Sequence, residues 1–278
     1  MKTFLLLLFA LPCFLGFPIS PDGPDELILG GMKASLGQFP HFALLRIYVN
    51  DGQMYYDCGG TLLNSQYVLT AAHCVYATND NGTSQAMFAV INQDSTWNDK
   101  ITKSPIVGLK FTKNHPGVNK NYYDDIAVLK LARPVKYTKN IQPIKIRRND
   151  DDLVKTGRYA VVSGFGALCG DNSCKQSPDL LFVNVPIADH AYCVNRFHPT
   201  YFNNRQICYG AKNRGTGPGD SGSPIVAYDY SLRQKVLIGI VSAGKARHEK
   251  GVDPDVAVRA SYFCEFIEQA TEKTFKCT

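Results

Sequence analysis

Residues 217–224 read Gly-Pro-Gly-Asp-Ser-Gly-Ser-Pro and place Ser221 in a tight, glycine-rich turn. A serine hydroxyl is a weak nucleophile at neutral pH, so a catalytic serine needs a neighbouring base and donors for the oxyanion that its attack creates. The glycines that flank Ser221 leave its hydroxyl uncovered and let backbone N–H groups converge beside it. The same composition is typical of an ordinary surface loop, so this segment alone does not establish a catalytic serine.

Two upstream segments supply the partners that a catalytic serine needs. His73 lies in Thr-Ala-Ala-His-Cys, directly after a short apolar run, and Asp125 opens Asp-Ile-Ala-Val-Leu. The order histidine, aspartate, serine is one of those in which a Ser-His-Asp triad occurs. Together with Ile-Leu-Gly-Gly at residues 28–31, these motifs resemble those of trypsin- and chymotrypsin-type serine proteases, and the resemblance extends to about residue 268.

Many short runs of branched and aromatic residues, separated by turn residues, predict an all-β sandwich or barrel. The runs lie at residues 42–49, 55–63, 87–91, 106–111, 126–131, 159–163, 180–185, 224–228, 236–242 and 256–259. The resemblance implies a more specific architecture, two six-stranded antiparallel β-barrels with the active site between them. We place the barrels at about 28–146 and 147–260, with a charged crossover at 147–155 and a C-terminal helix and tail at 261–278.

The first 27 residues predict export and activation. Residues 1–20, with Lys2 before an apolar run, are typical of a secretory signal peptide whose cleavage point the sequence leaves open. Residues 21–27 are acidic and proline-rich, which predicts an unstructured pro-segment. The resemblance implies that cleavage before Ile28 frees an amine that pairs with the buried Asp220 and shapes the neighbouring serine loop. Trypsin-activated relatives carry Arg or Lys before this bond, whereas this chain carries leucine, so the activating protease stays open.

Eight cysteines remain once the one in the signal segment is removed, which predicts four disulfides in an oxidising compartment. The resemblance implies two pairs, and closeness in sequence favours two more, although sequence alone does not fix the connectivity. The pairs are Cys58 with Cys74, Cys193 with Cys208, Cys169 with Cys174, and Cys264 with Cys277. Zinc-type cysteine and histidine spacing does not occur, so we expect no metal site.

Charge and composition narrow the function classes further. Loss of Lys2 and three acidic residues with the leader raises the formal net charge from +6 to +8. The basic residues are scattered, which favours a solubilising surface over nucleic-acid binding. We expect a secreted, extracellular monomer without membrane attachment or cofactor, which meets protein or peptide substrates and protease inhibitors. The single glycosylation sequon, at Asn81, is predicted to be used.

The resemblance gives each site residue a role. His73 acts as general base and then general acid, and Asp125, not the aspartate before it, orients the imidazole. Ser242 hydrogen-bonds Asp125. The N–H groups of Gly219 and Ser221 form the oxyanion hole.

The predicted specificity pocket departs from that of trypsin. Trypsins carry an aspartate six residues before the serine, where this chain has Gly215, and Asp255 stands on the opposite wall where glycine is usual. A carboxylate in a pocket attracts a cation, which predicts cleavage after basic residues or a mixed basic and apolar preference. Pairing of Asp255 with Lys245 or Arg259 would instead keep the carboxylate from substrate. The substrate-binding residues are Gly215, Thr216, Ser242, Gly244 and Asp255.

Two further departures bear on catalysis. Gly217 replaces a cysteine that staples the pocket in the family, and Ala243 replaces a large aromatic residue. Because the pocket lacks this disulfide, a second interpretation stays open: a catalytically silent homologue that acts as a binding or regulatory module. An esterase of the α/β-hydrolase type is excluded because that fold requires the order Ser, acid, His. The complete set of reactive groups favours a serine endopeptidase that works through an acyl-enzyme.

Overall fold

The computed structural model describes residues 30–49, 52–78, 82–97, 101–116, 124–167, 175–197, 203–212, 214–244 and 254–278. Strands β1 to β7 are Met32–Lys33, Phe42–Val49, Met54–Asn64, Tyr67–Thr70, Gln85–Phe88, Thr102–Phe111 and Ala127–Leu131. Strands β8 to β13 are Tyr159–Gly164, Leu181–Pro186, Gln206–Tyr209, Pro224–Asp229, Gln234–Ala243 and Asp255–Arg259. The α-helices of these residues are α1, His190–Phe197, and α2, Cys264–Ala270. None of the helices described here is long and apolar enough to cross a membrane.

The strands form a closed barrel and a second sheet, which confirms the all-β prediction. The barrel has the order β2-β3-β4-β7-β6-β5, and the sheet has the order β1-β9-β8-β11-β12-β13-β10. Six strands of the sheet come from the second half of the chain, and β1 adds a seventh at its edge. Side-chain alternation explains the faces: Leu181, Val183 and Val185 of β9 are buried while Asn184 between them is exposed.

Most predicted strands are present with ends shifted by a few residues, but three short strands and one helix escaped sequence reasoning. The missed strands are β1, β4 and β10, which have two to four residues and too little length for a periodic signal. Helix α1 is polar and buries only Cys193. Asp189 caps it by accepting a hydrogen bond from the N–H of Tyr192 at 2.8 Å. The expected C-terminal helix is a 3₁₀ turn, Ala260–Phe263, that continues into α2.

A shared apolar core joins the barrel to the second sheet. Phe42 and Leu44 of β2 pack with Phe165 and Leu180 from the second half of the chain, and Phe39 contacts Phe182 with ring centroids 5.3 Å apart. The same core includes Met87 and Val90. Because this contact fixes how the two units face each other, it also fixes any site built from residues of both.

The C-terminal tail and three disulfides between described residues link segments of the fold to one another. Thr278 donates its N–H to the carbonyl of Ile146 and accepts from the N–H of Arg148, so the tail pairs with the crossover segment. Disulfides link Cys58 with Cys74, Cys193 with Cys208, and Cys264 with Cys277. Cys169 and Cys174 lie outside the described residues, so their expected pairing stays a prediction.

His41 predicts a loss of stability in acid. Its ring is buried, and among the described residues Nε2 has no hydrogen-bond partner. Burial, with a smaller contribution from the charge of Lys235, lowers the pKa of His41 from 6.5 to about 3. Between pH 3 and 6.5 the unfolded chain therefore binds more protons at His41 than the folded protein does. The free energy of unfolding keeps its full value above about pH 6.5 and falls as the pH is lowered towards 3.

We expect His41→Phe in an inactive Ser221→Ala background to flatten this decline by several kcal/mol, since each pKa unit corresponds to about 1.4 kcal/mol. Urea unfolding across the pH range measures it. The exposed His190→Gln variant is the control and should keep the wild-type slope. Equal slopes for wild type and His41→Phe would contradict the prediction.

Candidate active site

Ser221 lies where the barrel meets the second sheet. Its carbonyl accepts a hydrogen bond from the N–H of Gly59 on β3 at 2.7 Å. The next residue, Gly222, donates to the carbonyl of Val241 on β12 at 2.8 Å, and Val241 donates back to Ser223 at 3.0 Å. The serine loop is therefore held by backbone hydrogen bonds to both units. The hydroxyl of Ser223 is buried without a hydrogen-bond partner among the described residues, at a cost of about 1–3 kcal/mol.

His73, Asp125 and Ser242 form a connected chain of hydrogen bonds. Nδ1 of His73 donates to Oδ2 of Asp125 at 2.7 Å, and the backbone N–H of His73 donates to Oδ1 at 2.8 Å. Ser242 Oγ also donates to Oδ2, at 2.5 Å. Asp125 is fully buried, so these donors replace the water that its charge would otherwise need. The neighbouring Asp124 instead pairs with Arg205 at 2.6 Å, which separates the roles of the two adjacent aspartates.

The protonation of His73 is tuned by opposing effects. Burial by itself lowers the pKa of His73, but the charge of Asp125 and the hydrogen bond to it outweigh burial and raise that pKa above its ordinary value. Because Nδ1 donates to the carboxylate, Nε2 of the neutral ring carries the lone pair. An imidazole held in this tautomer can accept a proton at Nε2 and return it.

His73 and Ser221 line the same cavity, of about 330 Å³. Its other walls are Tyr56, Asp57, Cys58, Ala167, Gln176, Pro218 and Gly219. The half-exposed ring of His73, the serine and the backbone beside it thus face one space that is open to a ligand. Sequence reasoning missed Tyr56, Asp57 and Gln176, because no motif marks them and only the fold brings them beside the serine.

Gly219 meets two constraints at the predicted oxyanion hole. Its φ of +99° is disfavoured for residues with a side chain, and a Cβ there would lie 2.3 Å from Nε2 of Gln176. The backbone hydrogen bonds between described residues engage neither the N–H of Gly219 nor that of Ser221. These are the two donors that sequence analysis assigned to the oxyanion.

Gly217 occupies a place that a larger residue would not fit. A Cβ there would lie 2.3 Å from the carbonyl oxygen of Ala167, whose N–H in turn bonds to the carbonyl of Pro218 at 2.7 Å. Close backbone packing therefore accompanies the loss of the cysteine that the family usually carries at Gly217.

Asp220 is a fully buried carboxylate directly before the serine. Its oxygens accept the N–H groups of Gly166 at 2.8 Å and Gly217 at 2.9 Å. Burial raises the pKa of Asp220 to about 7, and these two hydrogen bonds only partly oppose the shift. The group is thus placed to gain from a cationic partner. Ile28, the partner implied by the sequence, lies outside the described residues.

Asp255 lies with three of the predicted substrate-binding residues. Its Oδ2 accepts both the N–H and the hydroxyl of Thr216, each at 2.8 Å, and a side chain at Gly244 would begin 2.4 Å from Oδ1. Gly215 is buried beside Thr216 in the chain. The carboxylate is itself fully buried. Arg259 directs its guanidinium to Asp150 and Asp151, while Lys245 lies outside the described residues.

A second buried charge pair supports the cavity wall. Arg46 of β2 forms a bidentate ion pair with Asp57 of β3, with distances of 3.0 and 2.9 Å, and its guanidinium stacks 4.4 Å from the ring of Tyr55. The two strands are paired with Arg46 opposite Asp57, so the register of the hairpin creates this contact.

Asn81, the predicted glycosylation site, lies outside the described residues.

Comparison with known proteins places these features in a family. The family model described as trypsin matches residues 28–267. The chain is 31% identical to CLIP domain-containing serine protease B9 of Anopheles gambiae, over 78% of this chain and 56% of that protein, and 31% identical to serine protease 7 of Drosophila melanogaster, over 89% and 66%. It is 30% identical to human granzyme H, over 98% of this chain and all of that protein. The chain thus spans between half and two thirds of the two insect relatives.

Asp125→Asn should slow the reaction of Ser221 with a fluorophosphonate by about 10³- to 10⁴-fold, in protein that begins at Ile28. The amide removes the charge that stabilises protonated His73 and can hold the wrong tautomer. Labelling of the wild type should also fall as pH drops below the pKa of His73, because the protonated ring cannot accept the serine proton. Labelling rates measured from pH 4 to 9 test both effects.

Asp124→Asn provides the matched control. It removes a buried carboxylate one residue away but leaves the hydrogen bonds of His73 intact, so the labelling rate should stay within about tenfold of wild type. Equal losses in the two variants would show that Asp125 acts through folding and not through His73.

Proposed function

Because this chain belongs to the trypsin family, we propose that it is a serine endopeptidase that hydrolyses peptide bonds through an acyl-enzyme. The observation that carries the proposal is the shared cavity of Ser221 and His73, in which His73 is held by a buried Asp125. We also propose that the protein is secreted, is activated by cleavage and acts as a monomer on protein substrates. Its leader sequence and its described disulfides support secretion.

In this reaction Ser221 Oγ attacks the carbonyl carbon while Nε2 of His73 takes the hydroxyl proton. The carbonyl oxygen gains negative charge, which the N–H groups of Gly219 and Ser221 stabilise. His73 then gives the proton to the leaving amine, and a water molecule repeats the sequence to release the acid. Asp125 keeps the ring of His73 in place throughout, and hydrogen bonds from the backbone of His73 and from Ser242 hold its carboxylate there.

We propose that Asp255 gives the enzyme its preference for basic residues before the cut bond. The support is its burial next to Thr216 and Gly244, together with the engagement of Arg259 by Asp150 and Asp151. A cation that reaches this carboxylate would meet it in a region with little water, where a charge pair is strong. Because Gly215 has no side chain where trypsins carry aspartate, acceptance of apolar side chains, and so a mixed preference, is the second outcome that we propose.

We propose that Asp220 makes activity depend on removal of the pro-segment. A buried carboxylate with a pKa of about 7 gains from a cation, and the amine freed at Ile28 would supply one. That pair would hold the loop from Gly219 to Ser221 in the shape that binds the oxyanion.

Protein that begins at Ile28 should cut a mixed peptide library mainly after Arg and Lys, with mass spectrometry identifying each cut. Asp255→Asn, which keeps the shape but removes the charge, should lower kcat/KM for basic sites by about 30- to 1,000-fold, as expected for loss of a desolvated charge pair. Cuts after apolar residues should change little.

One control and two contrary outcomes make the library experiment decisive. Ser221→Ala must abolish all cuts, since residual cutting would indicate a contaminating protease. Equal losses at basic and apolar sites in Asp255→Asn would assign Asp255 a structural role. No cutting by well-folded wild type would favour the catalytically silent homologue.

Removal of the pro-segment should raise kcat/KM by at least about 10²- to 10³-fold, the usual contribution of an oxyanion donor. The comparison is between protein that begins at Pro21 and protein that begins at Ile28. With Ser221→Ala in both forms, the free energy of unfolding of the form that begins at Ile28 should increasingly exceed that of the form that begins at Pro21 as the pH rises from about 4 to about 7. The raised pKa of Asp220 stabilises the uncleaved form fully below about pH 4, and this stability is lost as pH rises through about 7.

Measuring the difference between the two forms cancels the opposite pH dependence of His41, which both share. Asp220→Asn should remove both the rate difference and the stability difference. A form that begins at Pro21 and is as active as one that begins at Ile28 would contradict the proposal.

A further inference from the structure

We propose that the pro-segment, residues 21–27, docks on an exposed tyrosine cluster at one end of the second sheet. The tyrosine cluster consists of Tyr159, Tyr228 and Tyr230, which are 61%, 46% and 73% exposed. The inference rests on the proposed pro-segment, and it adds a surface that holds this segment before activation.

The cluster is a shaped surface and not a scatter of side chains. Tyr228 and Tyr230 meet edge to face with ring centroids 5.0 Å apart. β11 pairs with β8 so that Val226 is opposite Val161, a register that continues to bring Tyr228 level with Tyr159. The three rings border a cavity of about 230 Å³ whose remaining walls are Leu153, Gly157, Arg158 and Ala227.

The surroundings of the cluster are positively charged. Arg158 lines the cavity, Lys235 is opposite Tyr228 across the β11–β12 pair, and the exposed Lys155 and Arg233 lie nearby in the chain. The carboxylates of this region are paired with arginines: Asp152 and Asp229 both bind Arg147, at 3.1 Å, and Asp151, which also lies near Lys155, binds Arg259 at 2.6 Å. An acidic ligand would therefore meet unbalanced positive charge here.

The pro-segment has the matching chemistry. It reads Pro-Asp-Gly-Pro-Asp-Glu-Leu, with prolines at 21 and 24 and acids at 22, 25 and 26. A polyproline II helix has three residues per turn, and the two prolines, like Asp22 and Asp25, are spaced three residues apart in the sequence. Aromatic grooves recognise prolines with this spacing, and the acids can reach the surrounding lysine and arginine side chains.

The topology leads the chain towards the cluster. β1 runs antiparallel to β9, with Met32 opposite Phe182 and Lys33 opposite Leu181, so the chain enters β1 from the side on which Pro186 lies. Pro186 is paired with Tyr159, and β8 and β11 follow in the sheet. With strands about 4.8 Å apart and about 3.3 Å per residue, Tyr228 lies about 20 Å from Met32. Residues 21–29 span up to about 30 Å when extended, enough to reach it.

Tethering makes weak docking sufficient. A short linker gives the attached segment an effective concentration in the millimolar range, so an intrinsic Kd of that order already populates the docked state. Docking would hold the Leu27–Ile28 bond against the body of the protein and slow its cleavage. Release of the segment would then accompany activation.

The test compares the proprotein that begins at Pro21 with the protein that begins at Ile28. Both carry Ser221→Ala, and in both the tyrosines are replaced by 3-fluorotyrosine. Fluorine NMR signals of the cluster are identified by their loss in Tyr159→Phe, Tyr228→Phe and Tyr230→Phe. We expect these signals to differ between the two proteins, while that of the exposed Tyr137 does not. Because the readout needs no activity, it is independent of the proposed protease function.

A second proprotein, with Pro21→Ala, Pro24→Ala, Asp22→Asn and Asp25→Asn, separates docking from effects of the free amine at Ile28. Its cluster signals should match those of the protein that begins at Ile28, and its Leu27–Ile28 bond should be cut several-fold faster. The cut is followed by adding a protease that cleaves after leucine. Cluster signals identical in all three proteins would overturn the proposal, as would signals that shift with protein concentration, which would assign the cluster to pairing of two copies.

Discussion

The contact between the barrel and the second sheet is the constraint on which the site depends. Ser221 is held by Gly59 of β3 on one side, and its neighbours are held by Val241 of β12 on the other. His73 and Asp125 both lie in the barrel part of the chain, whereas Ser221 and Ser242 come from the second half, and Ser242 donates to Asp125 from β12. The aromatic and aliphatic core around Phe42 and Phe165 sets this relation. A small shift between the two units would therefore move Ser221 and Ser242 away from His73 and Asp125.

Buried carboxylates show how the same residue type serves different ends. Asp125 is neutralised locally by the N–H groups and hydroxyl around it, and it sets the tautomer of His73. Asp220 accepts only two backbone hydrogen bonds, and burial raises its pKa to about 7. A cation beside it would therefore stabilise its ionised form. Asp57 has a permanent partner in Arg46 and acts as structure. Asp255 accepts two hydrogen bonds from Thr216 at one carboxylate oxygen, which fixes the position of its side chain.

Sequence reasoning can name a residue where its type and order carry the information. Ser221, His73 and Asp125 stand in motifs; the structure shows that His73 donates to Asp125 and lines one cavity with Ser221, and their catalytic roles stay predictions. Sequence reasoning failed where the partner is distant in the chain and chemically unremarked. Gln176 lies against Gly219, and Tyr159 lies level with Tyr228, only because strand pairing brings them together. Helix α1 escaped because capping by Asp189 and a disulfide, not an apolar face, accompany it.

The sequence by itself determined the all-β class and the family, and it predicted the reactive residues, because glycine-flanked serines, cysteine content and strand periodicity are local properties of the chain. Only the tertiary structure decided that Asp124 pairs with Arg205, that Arg259 is engaged by Asp150, and that exposed tyrosines of β8 and β11 share a cavity. Those facts depend on register and on the packing of two units. Register and packing follow from the summed burial of many side chains, and no single motif encodes that sum.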